Sequence, residues 1–248
     1  MQNTGPRLRT AGKTHPLYAP NDFSKSFAMS LGKEIIYLLA TRPDARLEGN
    51  DWEEIFARCI GARWTPSNIG LDDVTLDTYS MTWGAKTIKN NNPFDVRHVR
   101  LICGRNSLDF SYGIKNVRAM PKDEIGAKVL EIWNTRVEEV RTRFSNVRTV
   151  VLLKGEALSM VSVYEEDTIQ FLPEKYYWQW NERGNLEGYE RDTNIHRFTW
   201  QPHGSQFTVV SDVPEKRLKL RIKRPPIISQ NAVLNSISYD DSWIEIVP

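Results

Sequence analysis

The sequence predicts an α+β fold, because helical periodicity in its first part gives way to short alternating strands in its second. Amphipathic helices are indicated on both sides of a β-hairpin over 70–89. Beyond them, alternating apolar and polar residues are separated by turns. We therefore expect an N-terminal arm over 1–22, a core over 23–155 and a β-rich part over 156–248, packed on the core as one domain.

The composition is that of a globular protein, since 40% of the 248 residues are hydrophobic and 26% are charged. The formal net charge is only +2, so any affinity for nucleic acid must come from local basic patches. No apolar run approaches the length of a membrane span, and we expect no membrane partner. Cys59 and Cys103 form no metal-binding cluster and predict reduced core residues of a cytoplasmic protein.

Two helices are predicted ahead of the hairpin. The first spans 23–39, with Ser24 or Ser26 as its N-cap. The second spans 51–60, because Asn50 followed by Glu53 has the spacing of a capping box. Gly61 is suited to end that helix, and a short extra strand could follow it.

The apolar residues of the hairpin define its register. Val74 is expected opposite Trp83, and this pairing puts Asp73 across from Gly84 and on the same face as Lys86. A carboxylate and a lysine side by side can hold a divalent cation and position a water molecule for phosphodiester hydrolysis. The alternative is an ordinary cross-strand pair on an exposed face.

Beyond the hairpin, the pattern predicts a strand over 96–103, a long helix over 121–144 and a buried strand over 147–153. The strands expected in the β-rich part are 158–164, 176–180, 197–200, 207–211, 217–223 and 243–247.

From 51 to 153, the order of helix, hairpin, strand, helix and strand, with a short strand near 62–65, resembles the αβββαβ core of the PD-(D/E)xK nucleases, the restriction-endonuclease-like fold. The strand over 96–103 departs from that core, which does not require it. In that family one strand carries an Asp and the next carries (D/E)-x-K. Asp73 and Lys86 occupy the Asp and Lys positions, whereas Gly84 stands in place of the middle acid.

The resemblance implies a Mg²⁺-dependent DNA endonuclease, specifically a type II restriction enzyme that cuts double-stranded DNA as a homodimer. Asp73 would ligate Mg²⁺, and Lys86 would position or help to deprotonate the attacking water. The helix before the hairpin is the natural source of the missing carboxylate. Glu53 lies at the edge of its apolar stripe, whereas Glu54 points away. The weaker alternates on the hairpin are Asp72 and Asp77.

Two features of the β-rich part are candidates for contact with DNA. The strand over 217–223 alternates, with its basic side chains expected on the outer face, where they could follow phosphates. The turn near 184 carries side chains suited to base edges. The residues concerned are Arg217, Lys219, Arg221 and Lys223 on the strand, and Arg183 and Asn185 in the turn. The alternative is the solvated face of an ordinary sheet.

Two other functions remain open from the sequence. Because Gly84 replaces an acid, the chain could be a catalytically inactive nucleic-acid-binding protein with the same core. An unrelated α+β binding protein is the third reading.

Overall fold

The computed structural model describes residues 15–42, 44, 46–66 and 70–247. Within them the fold is α+β, with five α-helices and two β-sheets. The helices are α1 (Lys25–Thr41), α2 (Gly49–Ile60), α3 (Leu108–Tyr112), α4 (Lys122–Arg141) and α5 (Gln230–Ser236). The strands are β1 (Arg63–Trp64), β2 (Val74–Leu76), β3 (Met81–Lys89), β4 (His98–Arg105), β5 (Asn146–Lys154), β6 (Met160–Asp167), β7 (Tyr176–Trp180), β8 (Leu186–Glu190), β9 (His196–Gln201), β10 (Gln206–Asp212) and β11 (Leu218–Arg221).

Local capping sets the start of the first two helices. Ser24 caps α1, because its hydroxyl accepts the backbone N–H of Phe27 at 3.1 Å. The predicted capping box at Asn50 is wrong. Helix α2 starts after Glu48, whose backbone N–H donates to the Asp51 carboxylate at 2.8 Å. Glu53 is therefore free of any capping role.

The first sheet has the order β1-β2-β3-β5-β6-β11. Strands β1, β2 and β3 run antiparallel in succession, and β3 pairs with β5 in parallel. Such a parallel connection needs a crossover, which α4 provides. Strand β4, which lies between β3 and α4 in the chain, joins the second sheet, ordered β4-β10-β9-β8-β7.

Helices α1 and α2 cover one face of the first sheet through a core that includes Trp52, Phe56 and Trp83. The opposite face is covered by β4, which packs on β5 and β6, and by α4. Helix α4 also packs against the aromatic inner face of the second sheet, which includes Phe198 and Trp200. The two sheets are therefore joined by common hydrophobic cores, to which α4 and β4 contribute.

The expected division of the chain does not follow the sheets. Strands β6 and β11, from the part over 156–248, complete the first sheet, whereas β4 leaves the expected core for the second. Residues 17–21 are not a loose arm, because Tyr18 and Asn21 hydrogen-bond to Glu165. Residues 1–14 lie outside the described residues.

The C-terminal residues differ most from the prediction. The strand expected over 243–247 is wrong, since a short 3₁₀ helix spans Asp241–Trp243 and extended chain follows it. Ile244 and Ile246 alternate with polar or opposite-facing residues as in a strand, but they are 65% and 91% exposed and pair with no strand of the described chain. The sequence also left β8 and α5 unpredicted.

Candidate active site

The register of the hairpin is confirmed, with Val74 opposite Trp83 and Leu76 opposite Met81. Trp83 is buried between the sheet and α2, where its ring meets Phe56 edge-on at 5.5 Å. Because side chains alternate along a strand, Gly84 and Lys86 lie on the opposite face of β3. The buried tryptophan therefore fixes the direction of the lysine.

The backbone pairing between β2 and β3 ends at Val74, and beyond it the Asp73 side chain bonds to the backbone of β3. Its Oδ2 atom accepts the backbone N–H of Ala85 at 3.0 Å and lies 3.9 Å from Nζ of Lys86. Nζ in turn donates to the carbonyl oxygen of Gly70 at 3.2 Å. At 3.9 Å the Asp73–Lys86 pair is an ion pair without a direct hydrogen bond, so both groups retain bonding capacity.

The Asp73 carboxyl is held in a surrounding that disfavours its charge. Burial raises its pKa to about 6, against the opposing effects of the Lys86 ammonium and the Ala85 N–H. The carboxylates of Glu53 and Asp72 add to the rise. Asp73 is thus within electrostatic range of two further acids, and a cation among them would relieve their repulsion.

Glu53 lies on α2 and reaches the edge of the sheet, where its Oε2 accepts the indole N–H of Trp64 at 3.1 Å. Glu54 points elsewhere and forms an ion pair with Arg58 one turn along the same helix. The predicted orientation of the two glutamates is therefore confirmed. A ligand role for Glu53 stays a prediction.

The two weaker alternates occupy different surroundings. Asp77 is exposed beside the hairpin turn and pairs with Arg63 at 3.4 Å. Asp72 is buried and accepts a hydrogen bond from Arg143, just beyond α4, at 2.8 Å. Its other oxygen, Oδ1, is buried without a hydrogen-bond partner among the described residues. An orphaned buried oxygen is costly, so Asp72 is a stronger candidate ligand than the sequence indicated.

Gly84 has a steric explanation. A Cβ added at this position would lie 2.7 Å from the carbonyl oxygen of Gly70 and 3.2 Å from Cα of Leu71. The backbone of residues 70–71 therefore fills the space that an acid at position 84 would need. The same carbonyl oxygen accepts the Lys86 hydrogen bond, so a backbone oxygen stands close to the missing carboxylate's place.

The donor set suits a hard cation, since the carboxylates and the Gly70 carbonyl offer oxygen, which Mg²⁺ prefers. Within the part of the chain that the structure describes, no group of three or more His, Cys, Asp or Glu residues is placed to hold a metal. Two carboxylates, with water and phosphate oxygens completing the shell, are compatible with Mg²⁺.

Lys219 and Arg221 on β11 and Lys223, two residues beyond the end of that strand, are exposed, and we call these three residues the basic triplet. Lys219 and Arg221 lie on the same face of the first sheet as Lys86, because Leu218 and Leu220 pack on the opposite face. Three strand spacings separate β3 from β11, about 14 Å. Strand β4 covers the sheet between them.

Arg217 does not belong with these residues, and its predicted outward orientation is wrong. Its guanidinium is half-buried and donates to the carbonyl oxygens of Pro214, Phe94 and Val96. Those bonds tie β11 to the loop before β4, so Arg217 has a structural role.

Arg183 and Asn185 lie in the turn between β7 and β8, at the far edge of the second sheet. The Asn181 side chain shapes the turn by accepting both of their backbone N–H groups, at 3.0 and 2.9 Å. The Arg183 side chain is exposed and that of Asn185 half-buried. The structure thus leaves the two base-reading candidates on a different sheet from Asp73 and the basic triplet.

Sequence reasoning missed a buried polar network on the face of the first sheet that carries Trp83. Glu165 accepts from Arg148 at 3.0 Å, from the Trp83 indole at 2.9 Å and from the Tyr18 hydroxyl at 2.6 Å. The signal was a lone arginine within the apolar run of β5, since a buried charge requires a partner.

Comparison of the chain with models of protein families, with curated proteins and with solved structures found no match. None of the helices that the structure describes combines the length and apolarity needed to cross a membrane.

Proposed function

We propose that this chain is a Mg²⁺-dependent endonuclease that hydrolyses phosphodiester bonds of double-stranded DNA, in the manner of a type II restriction enzyme. The observation that carries the proposal is the placement of Asp73 beside Lys86 at 3.9 Å on one rigid hairpin, with further carboxylates in electrostatic range. The free thiols of Cys59 and Cys103 suit a reducing cytoplasm.

The connectivity of the first sheet supports the proposal. Helix α2, the antiparallel strands β1 to β3, the crossover helix α4 and the parallel strand β5 follow each other in the order αβββαβ. Strand β4 and α3 form an excursion from that order, which ends in the second sheet and leaves the first unbroken.

Each residue of the site has a separate chemical task in this proposal. Asp73, with Glu53 and Oδ1 of Asp72 as further donors, would hold the Mg²⁺, which polarises the phosphate and lowers the pKa of bound water. Lys86 is held in place by the Gly70 carbonyl and keeps donors for a phosphate oxygen or the attacking water. Asp73 must be ionised for this task, which its pKa of about 6 permits at neutral pH.

In this proposal, the positive charges that bind DNA lie at some distance from the hairpin. The basic triplet presents three cations to phosphates without regard to sequence. The turn that carries Arg183 and Asn185 would read base edges, because arginine can pair with guanine and asparagine with adenine.

The C-terminal segment, residues 227–247, supports a homodimer. Its exposed large apolar side chains are Ile227, Ile228, Val233, Ile237, Trp243, Ile244, Ile246 and Val247. An apolar segment of this length on a single molecule usually marks an interface. A second copy of this chain is the occupant we propose.

Helix α1 offers the complementary surface on that second copy. Met29, Ile36 and Tyr37 are exposed on one side of the helix, with Lys25 and Lys33 along the same side. The C-terminal segment is acidic as well as apolar, through Asp240, Asp241 and Glu245. Opposite charge and matching apolar character favour reciprocal exchange between two copies.

A DNA-binding protein without catalysis is the second candidate, because two observations favour it. The side chain of Asp73 is only 5% exposed, and backbone fills the place of the middle acid beside Gly84. A carboxylate this buried offers little surface to a cation that arrives from solvent.

Nicking of supercoiled plasmid in Mg²⁺, with and without EDTA, tests the first proposal. We expect cleavage by the unaltered chain to be lost in Asp73→Asn and Lys86→Ala, with DNA binding retained in a mobility-shift assay. Asp77→Asn is the matched control, since it removes an exposed carboxylate from the same hairpin. Cleavage by Asp73→Asn at the normal rate would refute the site. A mobility shift without cleavage by any form would favour the second candidate.

A further inference from the structure

A cavity of about 320 Å³ opens between the two sheets. Its apolar wall contains Trp133, Phe171, Tyr176 and Phe198, and its polar wall contains Glu166 and Ser211. This volume is at the lower end of the roughly 300–1,000 Å³ found for small-molecule sites. An aromatic wall opposite a few polar groups is also the usual composition of such sites.

Glu166 differs from its neighbour Glu165 in having few partners. Glu165 faces the other side of the sheet, and its carboxylate is satisfied by the arginine, indole and hydroxyl donors described above. The Glu166 carboxylate accepts one hydrogen bond, from the Ser211 hydroxyl at 2.6 Å. Burial raises the pKa of Glu166, and no cation lies against it within the described residues.

The other acids at the cavity each have a basic partner. Arg197 binds both Glu190 and Asp212 at 2.8 Å, and Asp212 also contacts His98 at 2.7 Å. Asp167, at the mouth, lies 3.8 Å from Arg148. Glu166 is therefore the one lining carboxylate in the described part of the chain that lacks a positive partner.

We propose that this cavity binds a small organic cation with a planar aromatic body, such as an aryl amidinium or ammonium. Its charged group would pair with Glu166, and its ring would pack against the aromatic wall. A cation gains from a poorly solvated carboxylate and from neighbouring aromatic faces together. An anion is repelled by Glu166, and a neutral ligand leaves its charge uncompensated. Glu166 takes no part in the proposed phosphodiester chemistry, so this inference is independent of the nuclease proposal.

The test is a calorimetric titration of the full chain with three isosteric probes: benzamidine, neutral benzamide and anionic benzoate. We expect benzamidine to bind at least about tenfold more tightly than benzamide, and benzoate not to bind. In an NMR titration of the same samples, the indole N–H of Trp133 should shift, because this ring lines the cavity and donates to the Ile169 carbonyl at 2.9 Å.

Glu166→Gln keeps the shape of the side chain and an acceptor for Ser211 but removes the charge. We expect it to weaken benzamidine binding about tenfold or more, to the level of benzamide. Glu139→Gln, which alters an exposed glutamate on α4, is the matched control and should bind normally. Equal affinity for the charged and neutral probes, unchanged binding by Glu166→Gln, or no binding of benzamidine would each overturn the proposal.

Discussion

Replacing Asp73 with asparagine should stabilise the protein while it removes the proposed activity. The Asp73 carboxyl is 5% exposed, and burial raises its pKa from an ordinary 3.8 to about 6. The folded protein therefore binds more protons than the unfolded chain between pH 3.8 and 6. Stability falls as pH rises through this window and stays low above it.

The size of the effect follows from the same pKa. At about 1.4 kcal/mol for each pKa unit, ionised Asp73 costs the fold on the order of 3 kcal/mol at pH 8. Asparagine stays neutral at every pH, and its side-chain oxygen can still accept the Ala85 N–H. Asp73→Asn should therefore raise the free energy of unfolding by about 1–3 kcal/mol at pH 8 and change it little at pH 4.

Urea denaturation of the unaltered chain and of Asp73→Asn at pH 4 and pH 8 measures this difference through the transition midpoints. Asp77→Asn, whose carboxylate is 69% exposed, should show no such dependence on pH. A variant at Asp73 that is less stable than the unaltered chain at pH 8 would refute the reasoning, because it would mean that the ionised carboxylate stabilises the hairpin.

Three further substitution series and one measurement of mass extend these tests. Glu53→Gln should abolish cleavage with little change in melting temperature, and Glu54→Gln should stay active; activity of both would exclude α2 as the source of a ligand. Changing the basic triplet to alanine should weaken DNA binding equally on all sequences and reduce the salt slope by about one for each residue, measured by fluorescence anisotropy between 50 and 200 mM salt. Gly84→Ala should lower the free energy of unfolding by about 1–3 kcal/mol, since its methyl group meets backbone atoms that have little freedom to move. A urea midpoint equal to that of the unaltered chain would show that the backbone of residues 70–71 can shift to make room for the methyl group. Trp243→Asp should halve the mass found by sedimentation equilibrium, whereas Phe110→Asp, at an exposed site on α3, should leave it unchanged. If the unaltered chain is a monomer, the proposed homodimer is wrong and the C-terminal segment would bind a different partner.

Local patterns predicted the hairpin register and the phase of α2 better than they predicted the assembly of the sheets. The apolar alternation of β2 and β3 was sufficient for the register, because slipping it by one residue would expose Trp83. The helical phase at Glu53 and Glu54 followed from the apolar stripe of α2 in the same way. Both predictions depend on which residues are buried, and the local spacing of apolar residues indicates this.

Contacts between distant segments were not accessible by the same reasoning. Nothing in the run of β4 indicates that it pairs with β10, more than a hundred residues later. The alternation of Arg217 with the basic triplet predicted an exposed side chain, but its guanidinium donates to three backbone carbonyls from two loops. Tertiary hydrogen bonds of this kind override a pattern that has a period of two.

The burial of Asp73 is the point at which the two candidate functions differ most. Stability alone gives no reason to keep a carboxylate whose ionisation is disfavoured, when asparagine could accept the same Ala85 hydrogen bond. In the proposed nuclease, a bound cation would offset the costly charge of Asp73, with the orphaned oxygen of Asp72 and the acid on α2 as further donors. The backbone of residues 70–71 beside Gly84 favours the inactive candidate, although the Gly70 carbonyl leaves an oxygen close to that position. The stability of Asp73→Asn at pH 8 therefore tests whether the ionised carboxylate is costly to the fold, and the plasmid-nicking assay tests which of the two proposed functions applies.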